Sequence, residues 1–176
     1  MTIDRENENQ PIKREEITIR VLNEIMSKTS LFIRHFDTQV QILTGISSGL
    51  FLFSASQCIQ KYNLIFIILS IASGLSAMIG LYAIHPPRWM RKQRQEESLF
   101  YNKKVAGFHN GVEYEKELSS ALSDYKELFH QYSTEIYNMY KYYYRPKREL
   151  FNLSRNVLVI GVFGAILALI IHIFSR

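Results

Sequence analysis

The stretch YNMYKYYYRPKR, from Tyr137 to Arg148, brings aromatic rings and cations close together. Five tyrosines fall within eight residues, and a proline and three cationic side chains follow them. Guanidinium groups bind phosphates, and aromatic rings stack on bases, so such a stretch can bind a nucleotide. Aromatic and cationic side chains also concentrate where a helix enters a bilayer. The sequence on both sides of this stretch is needed to distinguish these two interpretations.

A second cationic and aromatic stretch, HPPRWMRKQR, begins at His85. Arg88, Trp89 and Arg91 are the candidates here for contacts to a phosphate and a base. The full set of candidate nucleotide contacts is Arg88, Trp89, Arg91, Arg145 and Arg148. Cations beside a membrane helix are also the ordinary signature of its cytoplasmic end.

Residue types that carry catalysis or bind metals form no recognisable pattern. The sequence has no glycine-rich phosphate loop and no paired-histidine motif, and its one cysteine, Cys58, has no partner for a thiolate site. His172 is an ionisable group in an apolar stretch, but it lies near the end of that stretch and can reach the surface. The sequence therefore predicts a protein that is not an enzyme, with no catalytic residues, no metal and no cofactor.

Three long stretches contain no Asp, Glu, Lys or Arg: Val40–Ile59, Leu64–Ile84 and Val157–Phe174. A helix needs about 20 apolar residues to cross a bilayer. Three such helices are too many to bury in a soluble protein of 176 residues. We therefore predict an all-α integral membrane protein with three transmembrane helices and a helical cytoplasmic module between the second and the third.

The positive charges predict the orientation of the chain. Of 21 Lys and Arg residues, six lie in residues 1–39 and thirteen between Pro86 and Asn156. Because such segments stay on the cytoplasmic side, the N-terminus is expected in the cytoplasm and the C-terminus outside. The predicted organisation is a disordered arm (1–10), a juxtamembrane helix (11–39), transmembrane helices (40–59, 64–84 and 157–174) and a cytoplasmic module (85–156).

The module contains a heptad pattern typical of a long packed helix from about Glu113 to Tyr144. We call the apolar positions of this pattern the seam: Leu118, Leu122, Tyr125, Phe129, Tyr132, Ile136, Met139 and Tyr143. The seam either packs against another helix of the same chain or joins subunits. Pro146 is expected to end this helix and to begin the next one.

Small residues recur on the faces of the three apolar stretches, where they let helix backbones approach closely. The predicted helix-packing or pore-facing positions are Gly45, Ser48, Gly49, Ser73, Gly74, Gly80, Gly161, Ala165 and Ala168. They serve either packing within one subunit or self-association into an oligomer.

The position of the third span answers the question raised by the tyrosine-rich stretch. The stretch is predicted to lie at the entry to that span, and nucleotide binding is predicted as a second use of the same residues.

The order of several motifs resembles the membrane effector domain of the bacterial Pycsar antiphage systems. HFDTQVQIL resembles the entry to that family's first span, and LYAIHPPR is similar to the exit from its second span. SLFYNKKVAGFHNGVEYEKEL resembles its short aromatic helix, turn and long helix, and YKYYYRPKRELF its approach to the last span. The resemblance covers Phe36 to about Gly164. Gln39 departs from it, because the family resemblance would place a lysine there beside Asp37.

The resemblance implies a function in abortive infection. A pyrimidine cyclase makes cyclic UMP or cyclic CMP on phage attack, and the membrane effector then impairs the host membrane. The implied partners are the lipid bilayer of the bacterial inner membrane, further copies of the chain and the cyclase, with no nucleic acid. The alternative is a membrane scaffold or adaptor that recruits a cytoplasmic partner through the seam.

Overall fold

A computed structural model describes residues 10–60, 63–87 and 97–175, with side chains from residue 15 onwards. The described elements are all helical: α1 (Gln10–Gln60), α2 (Leu64–Ile84), α3 (Asn102–Ala106), α4 (Gly111–Ser123), α5 (Tyr125–Asn138) and α6 (Arg145–Phe174). A π-helical turn, Met139–Tyr144, lies between α5 and α6. Three helical stretches are long and apolar enough to cross a membrane. The predicted all-α membrane fold with three spans is confirmed.

The bounds of the apolar helices follow from local sequence. α2 begins where the side chain of Asn63 accepts a hydrogen bond from the Ile65 backbone N–H at 3.0 Å. It ends at Ile84, before His85 and two prolines that cannot continue a helix. α1 unites the predicted juxtamembrane helix and first span in one element of 51 residues.

The chain divides into two compact units. We call the described residues of Ile33–Lys92 and Tyr143–Arg176 the membrane unit, because they hold the apolar parts of α1, α2 and α6. We call the described residues of Met1–Phe32 and Gln93–Tyr142 the connector unit.

Glycines set the close packing inside the membrane unit. A Cβ atom at Gly161 of α6 would lie 2.0 Å from the Cβ atom of Ala72 on α2. A Cβ atom at Gly80 of α2 would lie 2.4 Å from the hydroxyl oxygen of Thr44 on α1. Since no real Cβ contact is that short, both positions require glycine for the helices to approach as they do. α2 and α6 form the most extensive helix–helix contact of the described residues.

The long helix predicted from Glu113 to Tyr144 is interrupted in the connector unit. Asp124 has extended backbone angles, φ −113° and ψ 112°, and its side chain accepts a hydrogen bond from the Lys126 backbone N–H at 2.9 Å. An aspartate in this conformation caps a new helix, so α4 ends and α5 begins there. The seam pattern did not reveal the break, because heptad spacing reports side chains and not the backbone angles of one residue.

The approach to the third span also differs from the expectation. Pro146 occupies the first turn of α6, where its missing N–H is tolerated. It does not separate two helices, because Tyr144 before α6 keeps helical angles and the π-helical turn absorbs the change in hydrogen bonding.

Candidate functional site

Three cations occupy the first turn of α6. Arg145 donates to the carboxylate of Glu149 at 3.0 Å, and both side chains are largely exposed. Arg148 is also exposed, and its guanidinium carbon lies 6.0 Å from the centre of the Tyr144 ring. Lys147 lies between them and faces the interior of the membrane unit, with 13% of its side chain exposed. We call Arg145, Lys147 and Arg148 the cation row.

Lys147 forms an ion pair with Asp37 of α1. The ammonium nitrogen lies 2.6 Å from a carboxylate oxygen of Asp37, whose side chain is 36% exposed. Gln39, in place of the lysine that the family resemblance implies, put in doubt any charge pair at this entry to the span. The structure supplies the pair from α6 instead, 110 residues further along the chain. Sequence spacing could not find a partner at that separation.

Aromatic packing fixes the position of this ion pair. Phe36, next to Asp37, is buried between the rings of Tyr144 and Phe151, with both ring centroids 5.2 Å from its own. Both contacts are edge-to-face, the geometry that aromatic quadrupoles favour. Tyr144 of the tyrosine-rich stretch thus packs α6 against α1, which holds Asp37 and Lys147 within reach of each other.

Replacing Asp37 by asparagine tests this pair. The Asp37→Asn variant leaves a mostly buried ammonium group without its carboxylate, and we expect a loss of about 1–2 kcal/mol in unfolding free energy. Exchange of the charges in Asp37→Lys with Lys147→Asp should restore most of it. The measurement is thermal unfolding in detergent. Glu149→Gln is the control, because it breaks only an exposed pair and should change stability by less than about 0.5 kcal/mol. Equal losses in Asp37→Asn and Glu149→Gln would contradict the argument.

A chain of three buried serine hydroxyls joins the three spans. Ser47 of α1 lies 2.9 Å from Ser76 of α2, and Ser76 lies 2.9 Å from Ser154 of α6, measured between hydroxyl oxygens. Ser76 also donates to the backbone carbonyl of Ser154 at 3.0 Å, and Ser154 donates to that of Ser76 at 2.8 Å. All three side chains are fully buried. We call Ser47, Ser76 and Ser154 the hydroxyl chain; the small-residue pattern had not singled out Ser76 or Ser154.

The predicted packing positions fall into two groups. Those on α2 and α6 lie inside the membrane unit or at its contacts, either buried or half-buried: Ser73, Gly74, Gly80, Gly161, Ala165 and Ala168. On α1, Ser48 is half-buried, whereas Gly45 and Gly49 are exposed and an added Cβ atom at either would meet nothing within 4 Å. The two glycines therefore lie on a face of α1 that the other described helices of the unit leave uncovered.

The connector unit buries a polar side of α5. Glu135, with only 7% of its surface exposed, accepts a hydrogen bond from the Ser98 hydroxyl at 2.5 Å. Gln131 accepts one from the backbone N–H of Leu99 at 2.7 Å. These bonds fasten residues 98–99 to α5, and the contact between the rings of Phe100 and Tyr132, 4.8 Å between centroids, extends the attachment.

The seam residues lie beside this buried side. The most buried positions of the region each come one residue before a seam position: Ala121, Leu128, Glu135, Asn138 and Tyr142. Leu122 and Phe129 of the seam are exposed by 57% and 44%, and Tyr143 is also exposed. Leu118, Tyr125, Tyr132, Ile136 and Met139 are half-buried. The hydrophobic pattern missed the shift because two of the buried positions, Glu135 and Asn138, are polar.

Arg88, Trp89 and Arg91 lie outside the described residues, so their position relative to the cation row is not part of this geometry. Within residues 10–60, 63–87 and 97–175, no cluster of three histidine, cysteine or acidic side chains is placed to hold a metal ion.

Comparison with known proteins identifies the family. The family model of the Pycsar effector protein domain matches residues 21–174, which include all three apolar helices and the connector between them. No curated protein and no solved structure matches the chain. The chain belongs to the Pycsar effector protein domain family, and it is a transmembrane effector of bacterial antiphage defence.

Proposed function

We propose that a cyclic pyrimidine nucleotide, cyclic UMP or cyclic CMP, activates this effector and that the activated protein impairs the inner membrane as a homo-oligomer. A pyrimidine cyclase supplies the nucleotide, as the family implies. The observation that carries the proposal is the cation row beside the third span, with Lys147 tied to Asp37 across two helices. The protein acts as an effector domain and supplies no catalytic step.

The cation row has the chemistry to bind a cyclic nucleotide phosphate. Arg145 and Arg148 are exposed, and their guanidinium groups suit the fork-like recognition of phosphate oxygens. The half-buried ring of Tyr144 lies beside Arg148, so an aromatic group of the kind that stacks on pyrimidine bases is close to the two arginines. Arg88, Trp89 and Arg91 remain candidates for further contacts.

Binding at the cation row acts on the Asp37–Lys147 pair. Lys147 lies between the two arginines in sequence, and a phosphate beside it competes with the Asp37 carboxylate for the same ammonium group. Loss of the pair removes the polar contact between the start of α6 and α1 and leaves the aromatic packing on Phe36 to hold the two helices together. The ligand thus shifts the arrangement of the spans through its charge, which gives the differential affinity that activation requires.

Self-association uses surfaces that one chain leaves open. The exposed positions Gly45 and Gly49 of α1 are spaced by four residues, as in the small-residue contacts that let two membrane helices approach closely. Copies held in one bilayer meet at high effective concentration, so a modest contact is enough to form an oligomer.

Membrane potential tests the proposal. Bacteria that express the protein are stained with a potential-sensitive dye before and after a pyrimidine cyclase is induced in the same cells. We expect depolarisation only when both proteins are present, because the cation row is empty of nucleotide until the cyclase acts. A catalytically inactive cyclase is the control for expression stress.

The other outcomes separate the alternatives. Depolarisation with the inactive cyclase would mean that nucleotide does not control the effector. No depolarisation of cells in which the protein is correctly inserted would favour the scaffold function. The exposed seam residues Leu122 and Phe129 would then be the surface that captures a cytoplasmic partner.

A further inference from the structure

We propose that the hydroxyl chain Ser47–Ser76–Ser154 is a switch that holds the three spans together at rest and opens on activation by exchanging its hydrogen-bond partners. The inference rests on the proposed function, since it names the element that activation releases.

The hydroxyl chain is a tie between helices. α1 approaches α2 and α6 at fewer points than α2 and α6 approach each other, so the 2.9 Å contact from Ser47 to Ser76 is a specific link of α1 to the bundle. The hydroxyl chain makes four hydrogen-bond contacts with only three hydroxyl protons, so at least one proton is shared between two acceptors. The three side chains are fully buried and their polar groups satisfy one another, which favours this arrangement of the helices.

Other buried hydroxyls of the membrane unit form their hydrogen bonds within their own helix. Thr44, Ser54 and Ser73 each donate to a backbone carbonyl four residues earlier in their own helix, at 2.8, 2.6 and 2.6 Å. The corresponding carbonyls for Ser47, Ser76 and Ser154 belong to Leu43, Ala72 and Leu150. A rotation about χ1 can therefore move each hydroxyl of the chain from its neighbour helix to its own.

Because each hydroxyl can bond a carbonyl of its own helix, separation of the helices costs little free energy. An unsatisfied polar group within a bilayer costs several kcal/mol, which would hold the helices together permanently. A hydroxyl that finds its own helix carbonyl avoids most of that penalty, so the joined and separated arrangements differ little in free energy. A ligand of modest differential affinity can then shift the population between them.

The position of the hydroxyl chain connects it to the cation row. Ser154 follows Lys147 by seven residues, two turns of α6, and Ser47 follows Asp37 by ten residues of α1. The ion pair and the hydroxyl chain are thus successive ties along the same helices of the membrane unit. When a phosphate releases the ion pair, the hydroxyl chain is the next polar contact between these helices, beyond the aromatic packing of Phe36.

Serine-to-alanine variants test the switch with almost no change in volume. Ser76→Ala removes the central hydroxyl, and Ser47→Ala removes only the link to α1. Ser54→Ala is the matched control, since Ser54 is fully buried on α1, seven residues from Ser47, and bonds only carbonyls of its own helix. Each variant is titrated with increasing cyclase induction while membrane potential is recorded, and insertion is checked by membrane fractionation.

We expect Ser76→Ala and Ser47→Ala to depolarise cells at roughly three- to tenfold lower cyclase induction than wild type, the effect of losing an interhelical hydrogen bond in a membrane. Ser54→Ala should behave as wild type. Thresholds of Ser76→Ala and Ser47→Ala equal to that of Ser54→Ala, or higher, would overturn the switch and leave nucleotide activation intact.

The failure of the proposed function gives a different result. If the wild type never responds to the cyclase but Ser76→Ala depolarises cells without it, the switch is supported and nucleotide control is wrong. If wild type and Ser76→Ala are both silent while inserted, both proposals fall.

Discussion

Replacement of both arginines of the cation row, Arg145→Glu with Arg148→Glu, is expected to abolish activation while the protein still inserts. Each arginine can give a charge-assisted hydrogen bond to a phosphate worth about 1.5–3 kcal/mol. Loss of both, with two negative charges in their place, should raise the nucleotide concentration for half-activation at least roughly a hundredfold. The measurement is depolarisation as a function of added nucleotide in permeabilised cells or in vesicles that contain the purified protein.

The control has to lose the same charge without touching the cation row. Lys103→Glu with Lys104→Glu reverses two cations on α3 in the connector unit, and it removes the same number of positive charges from the segment between the second and third spans. Since positive charge there also sets topology, a reporter at the C-terminus should give the same orientation for both variants. If the Arg145→Glu, Arg148→Glu variant is still activated, the nucleotide does not bind at the cation row.

Sequence alone predicted the features that depend on composition and local period. The three apolar stretches predicted the spans because 18 to 21 residues without charge have few other stable environments. The bounds of the second stretch, Leu64–Ile84, coincide with those of α2, since Asn63 and the two prolines mark both ends.

The features that depend on tertiary contact were not predictable in the same way. Asp37 and Lys147 are 110 residues apart, and the local sequence around neither residue predicts that the two form an ion pair. Ser76 and Ser154 look like ordinary small residues until three helices bring their hydroxyls together. The buried side of α5 includes Glu135, whose carboxylate accepts a hydrogen bond from Ser98; a search for apolar periodicity excludes such a polar residue.

Substitution of Gly161 by alanine is expected to give the largest loss of stability in the membrane unit. Its Cβ atom would lie 2.0 Å from that of Ala72, so α2 and α6 must separate along their main contact. Overpacking of this kind costs about 1–3 kcal/mol. The higher helix propensity of alanine offsets less than about 1 kcal/mol of that loss. The measurement is the free energy or midpoint of unfolding of the purified protein in detergent.

Two further variants decide whether the clash is the cause. Gly49→Ala adds the same methyl group where nothing lies within 4 Å, so it should leave stability unchanged or raise it slightly through helix propensity. Ala72→Gly combined with Gly161→Ala removes the opposing methyl group and should recover most of the stability, because α2 and α6 can then return to their close approach. If Gly161→Ala and Gly49→Ala have the same free energy of unfolding, α2 and α6 do not pack at this distance in the protein.

The close approach of α2 and α6 also brings Ser76 within reach of Ser154. A destabilised Gly161→Ala protein should therefore share the lowered activation threshold expected of Ser76→Ala.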